Sequence, residues 1–236
     1  MPQRVRLDRL VGALYLALGV VTGCAKGPGA VVPEVVEPVA LDSVAVWSGA
    51  AAPTGRVTHR FKWLYRDDRS SVGGRGSARI AAPDSIRFDV AGPLGASPAA
   101  AMVVGDSALW IEGPDAIKDI VPSYPLFWAG FGAVRPPAGA TVVWAGQAGT
   151  IGVWKVVAGN DTVTFAIDRG TPMRLKAELR RGGEVVARMD TELAAPGRPT
   201  KATLLVQGRP ARLDLTFTLS DPTARFPSDV WRPRRP

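Results

Sequence analysis

The chain has 236 residues and a formal net charge of +8, with a single cysteine and a single histidine. One cysteine excludes a disulfide-stapled scaffold, and one histidine beside it leaves too few soft ligands for a structural zinc site. Hydrophobic residues make up 46% of the chain, enough for one domain with a sizeable core.

Residues 1–9 carry Arg4, Arg6 and Arg9 against Asp8, residues 10–22 are almost wholly apolar, and Val21-Thr22-Gly23-Cys24 closes the run. A charged start, a short apolar stretch and small residues before a cut are the parts of a secretory signal. Thirteen residues of helix would span only ~20 Å, short of a ~30 Å hydrocarbon core. The closing tetrad resembles the lipobox of bacterial lipoproteins. That resemblance implies a signal peptide over 1–23, cleavage before Cys24, and a diacylglycerol on the Cys24 sulfur. Two or three acyl chains hold a protein on a membrane almost permanently. Residues 1–23 hold three Arg and one Asp, so the remainder keeps a net charge of +6. A basic surface suits anionic headgroups or an acidic partner, and for an exported lipoprotein nucleic acid is the poorest fit.

Residues 24–40, rich in Pro and Gly, read as a lipidated tether. Residues 41–52 predict a short helix with Asp42 as N-cap, Val46 and Trp47 on its apolar side, and Pro53 ending it. From Arg56 the pattern alternates with period two. Val57, His59, Phe61, Trp63 and Tyr65 oppose Thr58, Arg60, Lys62 and Arg66. The same alternation recurs at Ile86/Phe88/Val90, Val163/Phe165/Ile167, Met173/Leu175/Ala177/Leu179 and Leu213/Leu215/Phe217/Leu219. It marks strands with one buried and one wet face, hence an antiparallel sheet. Turns are expected at Gly73-Gly74, Gly105-Asp106, Gly159-Asn160, Gly182-Gly183 and Gln207-Gly208. Eleven or twelve strands result: 56–66, 75–82, 86–91, 99–104, 107–112, 142–146, 150–157, 161–168, 172–180, 184–192, 200–206 and 210–219.

Residues 114–134 break the pattern and predict two short helices separated by the stretch from Pro122 to Pro125. The second, over 126–134, has no charge, so it is buried on every side or faces lipid. Residues 223–236 form a basic Pro/Arg tail after a domain at 41–222. The fold class is therefore mainly β: a half-open antiparallel barrel with a helical lid and an apolar cavity. Catalytic signals are missing. His59 lies on the aromatic face and reads as a core or cavity-wall residue, Asp67-Asp68 reads as a hairpin loop, and Gly73-Gly74-Arg75-Gly76 lacks phosphate-loop spacing. The chain reads as a binding protein and not an enzyme, with no metal site.

Two segments carry a closer likeness. Ile86-Arg-Phe-Asp-Val-Ala-Gly-Pro-Leu-Gly95 resembles the strand and protruding loop, and Tyr124-Pro-Leu-Phe-Trp-Ala-Gly-Phe-Gly132 the plugging helix, of the LolA/LolB lipoprotein-carrier superfamily, closest to its outer-membrane receptor LolB or a related uncharacterised lipoprotein family. The resemblance spans about residues 41–220. It implies an acyl-binding cavity, no cofactor, cargo received from a soluble periplasmic carrier, and lipid anchoring at the periplasmic face of the outer membrane. Ala25, where inner-membrane retention in some bacteria uses aspartate, agrees with that membrane. Leu94 matches the exposed leucine of the receptor's loop that helps pass cargo into the bilayer; alternatively it folds back on the barrel rim. The expected lining is Phe61, Trp63, Phe88, Met102, Leu109, Trp128, Phe131, Phe165, Met173 and Phe217. A barrel packed solid, docking a protein partner as a structural or assembly lipoprotein, is the competing reading. Binding of another lipid or a hydrophobic signal by the same fold is a third.

Overall fold

The computed structural model describes residues 31–52, 54–92, 99–105, 107–112, 123–208 and 211–231, with the backbone alone for 107–112 and Ser228. Cys24, Leu94 and the first of the two helices expected in 114–134 lie outside these residues.

The alternating runs form one antiparallel sheet. After the two-residue β1 (Glu37–Pro38) come helix α1 (Asp42–Ala50), β2 (Arg56–Arg66), β3 (Ser71–Ala81), β4 (Ser85–Ala91), β5 (Ala99–Val104) and β6 (Ser107–Glu112). Helix α2 (Tyr124–Gly130) precedes β7 (Thr141–Ala148), β8 (Ile151–Ala158), β9 (Asp161–Asp168), β10 (Met173–Arg181), β11 (Glu184–Ala195), β12 (Arg198–Val206) and β13 (Ala211–Asp221). A 3-10 turn, Ser228–Trp231, follows. The spatial order is β1-β7-β8-β9-β10-β11-β12-β13-β2-β3-β4-β5-β6. Every neighbour after β1 is a hairpin partner except β13 and β2, whose pairing joins the two halves of the chain. The sheet is not closed: β1 and β6 do not pair.

One face is mostly apolar, with His59 and Thr191 its buried polar side chains. Leu175, Ala177 and Leu179 of β10, Ala187, Met189 and Leu193 of β11, and Ala202 and Leu204 of β12 are all buried there. Both helices pack on this inner face, α1 against β8 and α2 against β10, β11 and β12. Leu126, Phe127, Trp128 and Ala129 of α2 are all buried, as an uncharged helix requires. Among the described residues no helix is long and apolar enough to cross a membrane.

Several local expectations change. Gly73 and Gly74 lie inside β3, not in a turn. The turn is Asp67 to Ser70, where one Asp67 carboxylate oxygen accepts hydrogen bonds from the backbone of Arg69 and Ser70. The glycines serve close packing instead: a Cβ on Gly74 would stand 1.9 Å from the Ala91 carbonyl oxygen, and one on Gly76 2.6 Å from the Phe61 ring. In α1 the residue beside Trp47 in the core is Val44, three positions back, while Val46 is 70% exposed. Asp42 is the first helical residue and Leu41 the N-cap. A bulge in β13 between Phe217 and Leu219 turns Leu219 outward and pairs Ser220 with His59.

Both flanks of the domain also touch the sheet. Val31 is buried against Val153 and Ala166 on the outer face, and Pro38 pairs with Gly146. The stretch read as a tether is therefore docked from Val31 onward. At the other end Phe226 is buried beside Trp231, and the Val230 carbonyl accepts a hydrogen bond from buried Arg87 at 3.0 Å.

Candidate ligand-binding interior

The inner face of β2, β13 and β4, with α2 and the residue that follows it, brings six rings together. Phe131 is the hub, 5.7 Å from Phe61, 5.7 Å from Phe217, 5.1 Å from Phe127 and 6.0 Å from His59, between ring centroids. Phe88 joins through Phe127 at 4.7 Å. Edge-to-face and tilted pairs dominate, the arrangement that aromatic quadrupoles favour. Four expected lining residues, Phe61, Phe88, Phe131 and Phe217, thus meet in one cluster. Phe165 and Trp128 are buried in the same core, Phe165 stacked on Trp154 at 5.5 Å. Met173 packs half-buried at its margin. Trp63 is half-buried too, its indole donating to the Arg75 carbonyl, and it borders a groove.

Two are placed elsewhere. Met102 is opposite Arg87 in the ladder, whereas Ala101 is opposite Phe88, so Met102 is buried on the outer face. Leu109 stands opposite Met102 by register, and its side chain is not described.

Polar groups are few, and they are informative. His59 is fully buried, and its Nδ1 lies 2.9 Å from the Ser220 hydroxyl. Burial without a compensating charge lowers its pKa from 6.5 to about 4, so the ring is neutral at pH 7. Its Nε2 has no partner, and neither do the indole nitrogens of Trp128 and Trp154. Three orphaned donors or acceptors in one core are unusual, because buried polar groups nearly always find partners. A cavity of about 260 Å³ adjoins this end, lined by Val57, His59, Ile80, Phe131, Arg198 and Ser220 among others. Periodicity missed Ser220, since the bulge that brings it inward leaves no mark in an alternating pattern.

Helix α2 is held lightly by polar contacts. One side-chain bond joins it to the sheet from β11, where the Thr191 hydroxyl donates to the Ala129 carbonyl at 2.8 Å. Just beyond it, the backbone of Val134 donates to Ala51 and that of Ala138 to the Tyr124 hydroxyl. Apolar packing does the rest. Among the described residues no group of three or more His, Cys, Asp or Glu side chains is placed to hold a metal ion.

An open antiparallel sheet wrapped about an apolar helix is the architecture of the LolA-type fold. No family model matches the sequence, and no curated protein does. The fold does have solved counterparts. A LolA superfamily protein, NE2245 from Nitrosomonas europaea, superposes with a TM-score of 0.54 at 10% identity, over 82% of this chain and 97% of that one. A putative outer membrane lipoprotein-sorting protein domain from Vibrio parahaemolyticus gives 0.51 at 8% identity, over 80% and 95%. The chain is thus similar in fold to LolA-superfamily proteins along nearly their whole length.

Proposed function

We propose that this chain is a lipoprotein, anchored through Cys24 to the periplasmic face of the outer membrane, which takes acyl chains into the interior of a half-open barrel and helps to place lipoproteins in that membrane. The observation that carries the reading is α2. An uncharged helix, buried from Pro125 to Gly130, lies on the sheet's inner face, held by apolar contact with Thr191 donating to its Ala129 carbonyl. Such a helix can be replaced by another apolar body without leaving charges stranded. The Vibrio neighbour's description as a lipoprotein-sorting domain supports the same direction.

The physics follows from the interior. An acyl chain of about sixteen carbons gains on the order of 13 kcal/mol on leaving water, and a dry wall of Phe, Leu, Met and Trp supplies that without polar specificity. The cavity of about 260 Å³ beside His59 and Phe131 is smaller than the ~300 Å³ at which ligand pockets begin, and on this reading α2 swings outward as a lid to admit a chain. No covalent step or cofactor is needed. In the receptor-like version of this reading a soluble periplasmic carrier delivers cargo, and Leu94 in the loop before β5 touches the bilayer.

The density of the interior favours a second reading, in which the barrel stays packed and the protein acts as a structural or assembly lipoprotein docking a partner. Native mass spectrometry and a fluorescent fatty-acyl probe separate the two, using the chain from residue 25. Stoichiometric uptake, or a co-purifying phospholipid or acyl peptide, is the expected result. A clean apo mass with no uptake would leave the packed reading standing.

A further inference from the structure

We infer that the outer face of β12, β13, β2 and β3 is a docking surface for anionic phospholipid headgroups, and that it works with the anchor at Cys24. The register places Lys201 opposite Thr216, Thr216 opposite Lys62, and Lys62 opposite Arg75, one row of the ladder across four strands. Arg60 stands two residues from Lys62 on the same face. All four cations are exposed, and among the described residues none is in an ion pair. The rest of the outer face differs. Arg174 is paired with Asp190 and Glu192, Arg188 and Arg180 with Glu178, and Arg79 and Arg87 with Asp89. Among the described residues most other outer cations of the sheet meet a carboxylate; Lys155 and Arg56 instead stand over the rings of Trp144 and Phe226, so this row is the one place where unpaired cations gather side by side.

A groove of about 550 Å³ runs beside this row, with Lys62, Lys201, Thr203 and Thr216 along it. Its one carboxylate, Asp214, is already taken by Arg212 at 2.8 Å and Arg66 at 3.5 Å. Ammonium groups beside the Thr216 hydroxyl suit phosphate oxygens (Thr203 already donates to Asp214), and near an anionic bilayer each such cation contributes additively.

The occupant is set by where the chain leaves the domain. Val31 packs on the outer face over Val153 and Ala166. Ala166 belongs to the row that runs through Lys176, Asp190, Thr203 and Asp214, adjacent to the row of free cations. From β9 to β13 is four strand spacings, about 19 Å. The seven residues from Cys24 to the residue before Val31 reach at most ~25 Å. A lipid anchor at Cys24 therefore holds the bilayer within range of this face and of the basic row. An acidic protein would also meet the charge, but nothing ties it to the face from which the anchor emerges. The inference rests on the lipoprotein reading for the anchor alone, not on acyl chains entering the barrel.

The test uses the chain from residue 24 with Cys24→Ser, which keeps every described residue, and vesicles of phosphatidylcholine with or without 30 mol % (about a third) phosphatidylglycerol. Binding by co-flotation is expected only with the anionic lipid and weakens as salt rises. Lys62→Gln with Lys201→Gln should lower the partition coefficient about 25-fold, roughly fivefold per cation. The charge-matched pair Lys155→Gln with Arg169→Gln, on β8 and after β9 and so several strands from the row, should change it by less than about fivefold. Equal losses in the two pairs would reduce the effect to overall charge and overturn the surface. Binding of polyglutamate but not vesicles through Lys62 and Lys201 would also overturn it, in favour of a protein partner. Because no acyl probe is present, failure here leaves the barrel's acyl uptake to its own assay, and the reverse.

Discussion

Acidification from pH 7 to pH 5 should weaken the fold through one residue, His59. Its pKa is lowered from 6.5 to about 4 by burial. Between those values the unfolded chain binds the proton and the folded one does not, so stability falls as pH falls through this window and is undiminished above it. With those two values the loss is about 2 kcal/mol at pH 5 and about 3 kcal/mol at pH 4. The group is fully buried, so solvent screening calls for no discount. Carboxylates intrude only lower down. The hydrogen bond from Arg181 lowers the pKa of Asp161, and that from Thr150 lowers the pKa of Asp168; what they stabilise is lost at or below the ordinary carboxylate range. Urea unfolding followed by tryptophan fluorescence at pH 7, 6 and 5 reads the effect. At ~2 kcal/mol per molar urea the midpoint should fall by about 1 M between pH 7 and 5. His59→Phe should begin less stable, since Ser220 loses its partner, yet stay flat over the same range. A variant that declines in parallel with the parent, or a His59 resonance titrating near 6.5, would refute the reasoning.

Two further perturbations probe the fold. Thr191→Val keeps the shape but strips the donor from the Ala129 carbonyl, so it should cost about 1–3 kcal/mol and speed acyl-probe uptake, read by stopped-flow. Unchanged uptake would show that this bond does not hold α2. Gly74→Ala sets a Cβ against a backbone oxygen that cannot move aside and should cost about 3 kcal/mol, seen as a drop in Tm. Gly159→Ala, at a turn with open space and φ of 59°, should cost only ~1–2 kcal/mol. Equal effects would mean that Gly74 is merely a conformational requirement.

The sheet was legible because antiparallel strands with one wet face write their period directly into the chain, as in Arg174 to Arg180 and in Leu213 to Phe217. The uncharged run at 126–134 likewise announced burial. What alternation could not carry were departures from it. The bulge at Phe217/Leu219 exchanges Leu219 for Ser220 on the inner face, and so completes the His59 contact. Glycines 73 and 74 look like turn residues in sequence, and only the neighbouring Trp63 and Ala91 reveal that they make room for packing. Met102 sits in an apolar run, Ala99 to Val104, where both faces are buried and period two has nothing to contrast. The docking of residues 31–38 was hidden by proline, which reads as a linker although Val31 and Val36 have partners on the sheet.

An open sheet ends in rows of unpaired amide and carbonyl groups, and such rows recruit strands from other molecules. Here one terminal row, that of β7, is met by Glu37, Pro38 and the amide of Val39, which donates to Ala145. The cover is two ladder residues long, it includes a proline with no amide to offer, and its neighbour carries a charge. A second chain approaching that margin finds almost nothing to extend. Under the proposed anchoring at Cys24, this short segment would act as a stopper against polymerisation where tethering crowds identical molecules together.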